Sequence, residues 1–582
     1  MKDCRSGKRS TLLFAVMSLA APVGLFAQDW TQAGRTAAHS GASDATGARL
    51  ERTEQKLAVD PFADLETILG QYLLVHYPAV LIDGDDIYVL GKAGSYTGRS
   101  SRQTQVWQIK NLRRIAGSFR TRWTVDTDWK PVPLGANGPF LEPPYQCVIG
   151  SHAIWAPGRG GSMLEIDRET GFVASRITPF GPSIDDTIFL VGGPTIATDG
   201  SIYYTVIHFG TDPWAQDTKS SSLVRVSPDH SVSTAAFTTL VSGAPDPNSL
   251  CTTQFALADL PFPPSPYADA PTARCGSQRA ALGAAPAVAS DGTIYVISRS
   301  HFNAAWAYLI AVNNDLSPKW TASMRNRFND GCNVSLPLNG TPGGCRNGAS
   351  TGVDPSDNEL GSGHVSDESS ASPVVAPDGK ILYGAYTRYN FEQGHLMAFN
   401  RDGSFAASYG AGWDCTPSIY KHDGGYSIVL KENHYDLGSY CNDVIACPAR
   451  DIVAPSDEKY FITRLDSALQ LESKFQNTNT QTCQRKADSS IACVSDHPSG
   501  FEWCVSQVAI DRHGVAYAAS EDGFVYAIDR DGVLRERLLM DRALGAGYSP
   551  ISIGADGHIY AYNNGSVFVI GSSASRRRSV NH

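Results

Sequence analysis

The 582-residue sequence is poor in charge: Lys and Arg number 48, Asp and Glu 58, together 18% of the chain, and the net charge is −10. It has no basic stripe. Its densest basic run is Arg576-Arg577-Arg578 in a Ser-rich tail, which excludes a nucleic-acid surface that must neutralise phosphates. No CxxC or CxxCH spacing occurs, so the common paired-cysteine zinc motifs and haem attachment are set aside. After residue 27 no apolar run is long enough to span a bilayer. What the chain has in quantity is 54 Gly, 33 Pro and 24 Tyr, a balance suited to many short strands joined by tight turns. The expected class is all-β.

Residues 1–27 read as a signal peptide: Lys2, Arg5, Lys8 and Arg9 form a basic start, Leu12 to Phe26 an apolar run, and Ala27-Gln28 a cleavage point. The expected location is therefore outside the cytoplasm, periplasmic or extracellular. Removing this leader removes Cys4 and leaves eleven cysteines. Four close pairs read as loop-stapling disulfides: Cys251 with Cys275, Cys332 with Cys345, Cys441 with Cys447, and Cys483 with Cys493. Cys147, Cys415 and Cys504 remain, from which one further bridge and one free thiol are expected.

One unit recurs along the chain: Pro, an apolar stretch, Asp-Gly, then Ile-Tyr. It stands at Pro78 with Asp83-Gly84, Pro194 with Asp199-Gly200, Pro286 with Asp291-Gly292, and Pro373 with Asp378-Gly379. Further copies follow at Pro417 with Asp423-Gly424, Val508 with His513-Gly514, and Pro550 with Asp556-Gly557, with a weaker one from Cys147 to Trp155. Asp-Gly supplies the positive φ a two-strand hairpin needs, and a third strand follows each copy, from Trp107–Ile109 to Val567–Val569. Eight such units predict an eight-bladed β-propeller of four-stranded antiparallel blades. The last copy stops after its third strand near Gly571, so the segment 28–75 is expected to close the ring. The propeller is expected over residues 28–571, with 572–582 a disordered basic tail.

The repeat, with its opening Trp30-Thr-Gln-Ala-Gly34-Arg35 and His39-Ser-Gly41, resembles the quinoprotein-alcohol-dehydrogenase-like (PQQ-like repeat) propeller superfamily. The resemblance implies an eight-bladed ring over nearly the whole mature chain. It implies either of two activities, because the superfamily includes enzymes that bind pyrroloquinoline quinone and cofactor-free scaffolds of outer-membrane assembly. Dehydrogenase blades repeat a Gly-x-x-x-Trp ending, of which only Trp123 and Trp320 are counterparts here.

In such blades the Asp-Gly turns lie on one face, and the loops from strand two to three and from blade to blade lie on the other. The insertions 241–283, 325–370, 436–457 and 474–503 all fall on this second face, where function is expected. Four consecutive blades place a cation-capable residue and an aromatic at the end of the second strand: His208-Phe209, His301-Phe302, Arg388-Tyr389 and His434-Tyr435. Lys431 and Glu432 stand on the approach. Trp413 and Asp414 are expected nearer the axis, with His364, Asp367 and Glu368.

Three functions follow. A ligand-binding or cell-envelope scaffold needs only fold, export and an elaborated face, its partner a small molecule, a carbohydrate or an envelope protein. A quinoprotein dehydrogenase would stack its quinone over calcium, with Trp413 and Asp414 at the cofactor and Asp414 as base. A polysaccharide lyase or hydrolase would use Arg388 against a uronate carboxylate and His434 or Tyr435 for the proton. Asp354, Asp357, Asn358 and Glu359 are a candidate calcium loop whose spacing matches no standard motif.

Overall fold

The computed structural model describes residues 29–66, 77–98, 101–133, 145–252, 271–329, 350, 352–354, 357–387, 394–412, 414–434, 459–545 and 548–572. The apolar–turn–apolar repeat folds as expected, into eight antiparallel sheets of successive strands. Blade 1 runs from Leu81 to Asp126 and blade 7 from Ala509 to Leu539. In blade 4 the innermost strand is split, Gln278–Ala280 and Ala287–Val288 both pairing with Ile294–Ser300. The hairpin turns owe their shape to side-chain chemistry as well as to glycine. In blade 3 Gly200 has φ 83°, and Asp199 accepts the Ser201 backbone N–H at 2.9 Å. Blade 4 repeats this with Asp291 and Thr293.

Blade 8 has only three strands of its own, Ser552–Ile553, Ile559–Asn563 and Ser566–Gly571. Arg52–Ala58 supplies the fourth, antiparallel to Ser566–Gly571 with Arg52 opposite Gly571 and Ala58 opposite Ser566. This joins the two ends of the ring and removes the open edge.

The residues before that strand form a second closure. Innermost strands leave backbone N–H groups facing the channel, and buried donors must be paired. The carbonyls of Trp30, Thr31, Ala37, Ala38, Ser40 and Gly41 accept from Ile82, Ile149, Val288, Val375, Ile419 and Ile510, at 2.7–3.0 Å. Gln32 bonds Ile196 in both directions, and the Ala48 N–H donates to Gly557. One segment thus touches every blade in turn. It plugs the channel on the Asp-Gly face.

Between blades the cores are continuous walls of Val, Ile, Leu and Tyr. Trp123 of blade 1 lies on Gly171 of blade 2 and donates to the Arg168 carbonyl at 3.0 Å. Trp320 of blade 4 does the same on Gly403 of blade 5, donating to Arg401 at 2.9 Å. These are the two tryptophans picked out by the sequence pattern.

The disulfides Cys251–Cys275 and Cys483–Cys493 form as expected, while the pairs 332/345 and 441/447 lie outside the described residues. The expected third kind of bridge is corrected: Cys147, Cys415 and Cys504 are all free and buried. They stand ahead of blades 2, 6 and 7. Among the described residues no helix is long and apolar enough to cross a membrane. The leader 1–27 and the tail 573–582 lie outside them.

Candidate functional site

The axis is lined by residues at or close before the innermost strands: Gln146, Ala285, Ser372, Thr416 and Gln507 each stand two positions ahead of theirs, and Gly193 lies within Ile188–Ile196. The plug residues Ala33, Gly34 and His39 floor it. The space left holds about four to six water molecules. A planar quinone of three fused rings does not enter a space of that size. Calcium takes six to eight oxygen ligands, yet no carboxylate is among the residues lining this space, and its two amides turn to backbone groups, Gln146 accepting from the Ala79 N–H and Gln507 donating to the His39 and Pro417 carbonyls. The described residues therefore do not fit quinone and calcium, and no chemistry is derived through them.

Strand alternation separates two residues that the sequence places side by side. In Gly425–His434 the Glu432 side chain faces blade 5, where Tyr409 donates to it at 2.9 Å, and Thr463 (2.6 Å), Lys474 (2.6 Å) and His434 Nε2 (2.7 Å) complete its partners. Lys431 faces the other way. It is 2% exposed, lies 4.3 Å above the Tyr548 ring and has no side-chain hydrogen bond or ion pair among the described residues.

Around Lys431, at the loop-side end of the axis, stand groups from blades 6, 7 and 8. Asp414 accepts from Ser369 Oγ at 2.8 Å, and burial raises its carboxyl against the pull of Lys431. Cys504 Sγ lies 3.2 Å from Glu521 Oε1 and 3.9 Å from Glu502 Oε1. Burial, then the neighbouring Glu502, pushes the Glu521 carboxyl well above its usual range. The Glu502 carbonyl accepts from the Glu521 N–H (3.2 Å) and Ser520 Oγ (3.0 Å), and Asn433 grips Trp503 through both amide atoms. The segment carrying Glu502 and Cys504 is thereby held rigid.

The histidine series occupies the ends of second strands, as its spacing implies, but its described members do not share a cavity. His208 is half-buried and lies 3.4 Å from both Asp185 and Lys219. His301 is buried against Trp214 and Phe302 and accepts from Arg279 Nε at 3.0 Å. His434 is committed to Glu432. Arg388, Tyr389, Trp413 and Tyr435 lie outside the described residues. Asp367 clamps Arg279 (2.6 Å) and Arg299 (3.2 Å) of blade 4. In the candidate calcium loop, Asp357 pairs with Arg325 at 3.3 Å and Glu359 accepts from Asn326 at 3.3 Å, so those two carboxylates turn to protein partners.

These burials set a pH response. Burial lowers His39 to about 4 and His301 and His395 to about 3, so between pH 6.5 and those values the unfolded chain takes up protons that the folded one does not. Burial alone would raise Glu432, but His434 and Lys474 outweigh it and bring it to about 2; its stabilisation, complete above 4.5, is lost as pH falls toward 2. Both signs agree. Denaturant midpoints should fall steadily from pH 7 to pH 3, each group contributing up to about 1.4 kcal/mol per pH unit in its window. Glu432→Gln should flatten the curve between pH 4.5 and 2, and a midpoint unchanged from pH 7 to 4 would contradict the burial of the histidines.

A roomier cleft, of about 310 Å³ against about 60 Å³ at the axis, opens on the same face between blades 1, 2 and 3. Arg102, Lys130 and Arg159 line it, and Asp186 is the carboxylate among its lining residues. Arg102 donates to the Pro131 carbonyl (3.0 Å) and Lys130 to that of Gln105 (2.5 Å), which aims both from fixed backbone, while Arg159 pairs with Asp186. Burial, and after it Arg102 and Arg159, lowers the Lys130 ammonium. Such mutual repulsion is relieved by an anion. Neither this set nor the Glu502, Cys504, Glu521 and Tyr548 set was picked out from the sequence. The one available signal was the odd cysteine beside a glutamate, Glu502-Trp503-Cys504.

By these features the chain is an eight-bladed β-propeller, elaborated on its loop-rich face. No protein-family model and no curated protein matches the sequence. Among solved structures it is similar to a europium-containing methanol dehydrogenase, at 10% identity and TM-score 0.47, covering 92% of this chain and 89% of that one. It is similar also to the quinohemoprotein alcohol dehydrogenase of Comamonas testosteroni, at 11% identity and TM-score 0.49, over 94% and 81%. BamB from Moraxella catarrhalis matches at 11% and TM-score 0.37, over 85% and 96%. At these identities the likenesses concern architecture.

Proposed function

We propose that this chain is an exported binding propeller whose loop-rich face takes a small anionic ligand, the size of an acidic sugar unit, in the cleft of Arg102, Lys130 and Arg159. The observation that carries this reading is three cations with one carboxylate around a cleft of ligand size. Guanidinium and ammonium groups offer charge-assisted hydrogen bonds to a carboxylate, and the half-burial of Arg102 and Lys130 limits the screening of those two. Two disulfides suit an exported protein. A lyase reading has less behind it, because of its two candidate bases His434 is tied to Glu432 and Tyr435 lies outside the described residues.

Calorimetry of the mature protein with uronic-acid oligosaccharides tests the reading. Binding is expected to weaken about tenfold in Arg159→Ala or Lys130→Ala and to fall with added salt. Neutral oligosaccharides should not compete, and no unsaturated product should accumulate. Equal binding of acidic and neutral sugars, or none at all, would reject it and turn attention to envelope-protein partners.

A further inference from the structure

The geometry points to a metal site at Glu502, Cys504 and Glu521 that takes a borderline divalent cation such as zinc, at the loop-side end of the axis and separate from the anion cleft. One thiol and two carboxylates offer ligand atoms that all lie within 4.8 Å of one another. In a tetrahedral zinc site a sulfur at about 2.3 Å and an oxygen at about 2.0 Å from the ion stand about 3.5 Å apart. The observed Cys504 Sγ separations, 3.2 Å to Glu521 and 3.9 Å to Glu502, bracket that value.

Three further features favour an ion here. The ligands come preorganised: Asn433 and Ser520 hold the 502–504 segment, and the Glu521 N–H to Glu502 carbonyl bond ties the two ligand strands together. Glu502 and Glu521 are half-buried while Cys504 is buried, so an ion has a way in and a soft anchor at the end of it. The third is Lys431, a buried residue with no side-chain hydrogen bond among the described residues, whose charge acts on Asp414, Cys504 and Glu521. Zinc on a thiolate and two carboxylates carries a net charge of about −1, which one ammonium neutralises. Three protein ligands leave a fourth position for water. A thiol ligand and a lysine neighbour favour zinc over calcium, which selects oxygens alone.

The test uses the full mature chain, stripped with chelator, reloaded with zinc and desalted. One retained zinc per chain is expected. Cobalt in its place should give a thiolate-to-metal absorption in the near ultraviolet. Cys504→Ser should abolish that absorption, and Glu502→Gln, at a half-buried position that folding tolerates, should weaken retention at least tenfold. Cys415→Ser should change neither. No retained metal, retention undiminished in both ligand variants, or calcium displacing zinc at equal concentration would overturn the site.

Discussion

Asp367→Ala is expected to destabilise the protein by about 3–5 kcal/mol, the range for removing one partner of a buried ion pair. Asp367 Oδ2 holds two guanidinium groups at once, Arg279 at 2.6 Å and Arg299 at 3.2 Å, with side chains 0% and 9% exposed. Burial acts to raise the Asp367 carboxyl, yet the two arginines hold it below the usual carboxylate range. Its removal strands two cations in the wall between blades 4 and 5. Burial has already drawn Arg299 down to about 10, and it gains no new partner in the alanine variant. Asp367→Asn, which keeps shape and one acceptor, should lose less. Chemical denaturation of the three proteins gives the comparison, and an alanine variant within 1 kcal/mol of wild type would show that water reaches the pair.

Deleting residues through 58 should abolish cooperative folding. The cut removes the fourth strand of blade 8 and, with it, the plug whose carbonyls accept from six other blades. It exposes the edge of Ser566–Gly571 and opens the channel to unpaired donors. A peptide of residues 29–58 added in trans should restore a single unfolding transition, because strand addition regains the ladder hydrogen bonds. A truncated chain that unfolds cooperatively without peptide would show that the remaining seven blades and the three-stranded eighth are self-sufficient.

The ring was legible because its causes are local. Asp199-Gly200 makes its turn from its own two residues, and Ile202–His208 finds its partner strands a few residues away on either side. Even the closing strand could be anticipated, since a repeat that ends at Gly571 leaves an edge. The plug's path was not legible: which carbonyl of residues 30–48 meets which blade depends on the radius of the closed ring. Equal spacing also misled. His208, His301 and His434 share a position in their blades, yet one meets Asp185, one Arg279 and one Glu432, because the neighbours of the second strand differ from blade to blade.

The sequence alone therefore determined the all-β class, the number of blades, the face that carries the long loops and two of the cysteine pairs, all set by turn chemistry and hydrogen bonding over short stretches of chain. Only the tertiary structure decided which polar groups meet. Lys431 and Glu432 part to opposite sides of one strand, and Glu502, Cys504 and Glu521 converge from two loops of blade 7. Contacts between blades follow the angle and radius at which the ring closes, which no single repeat encodes.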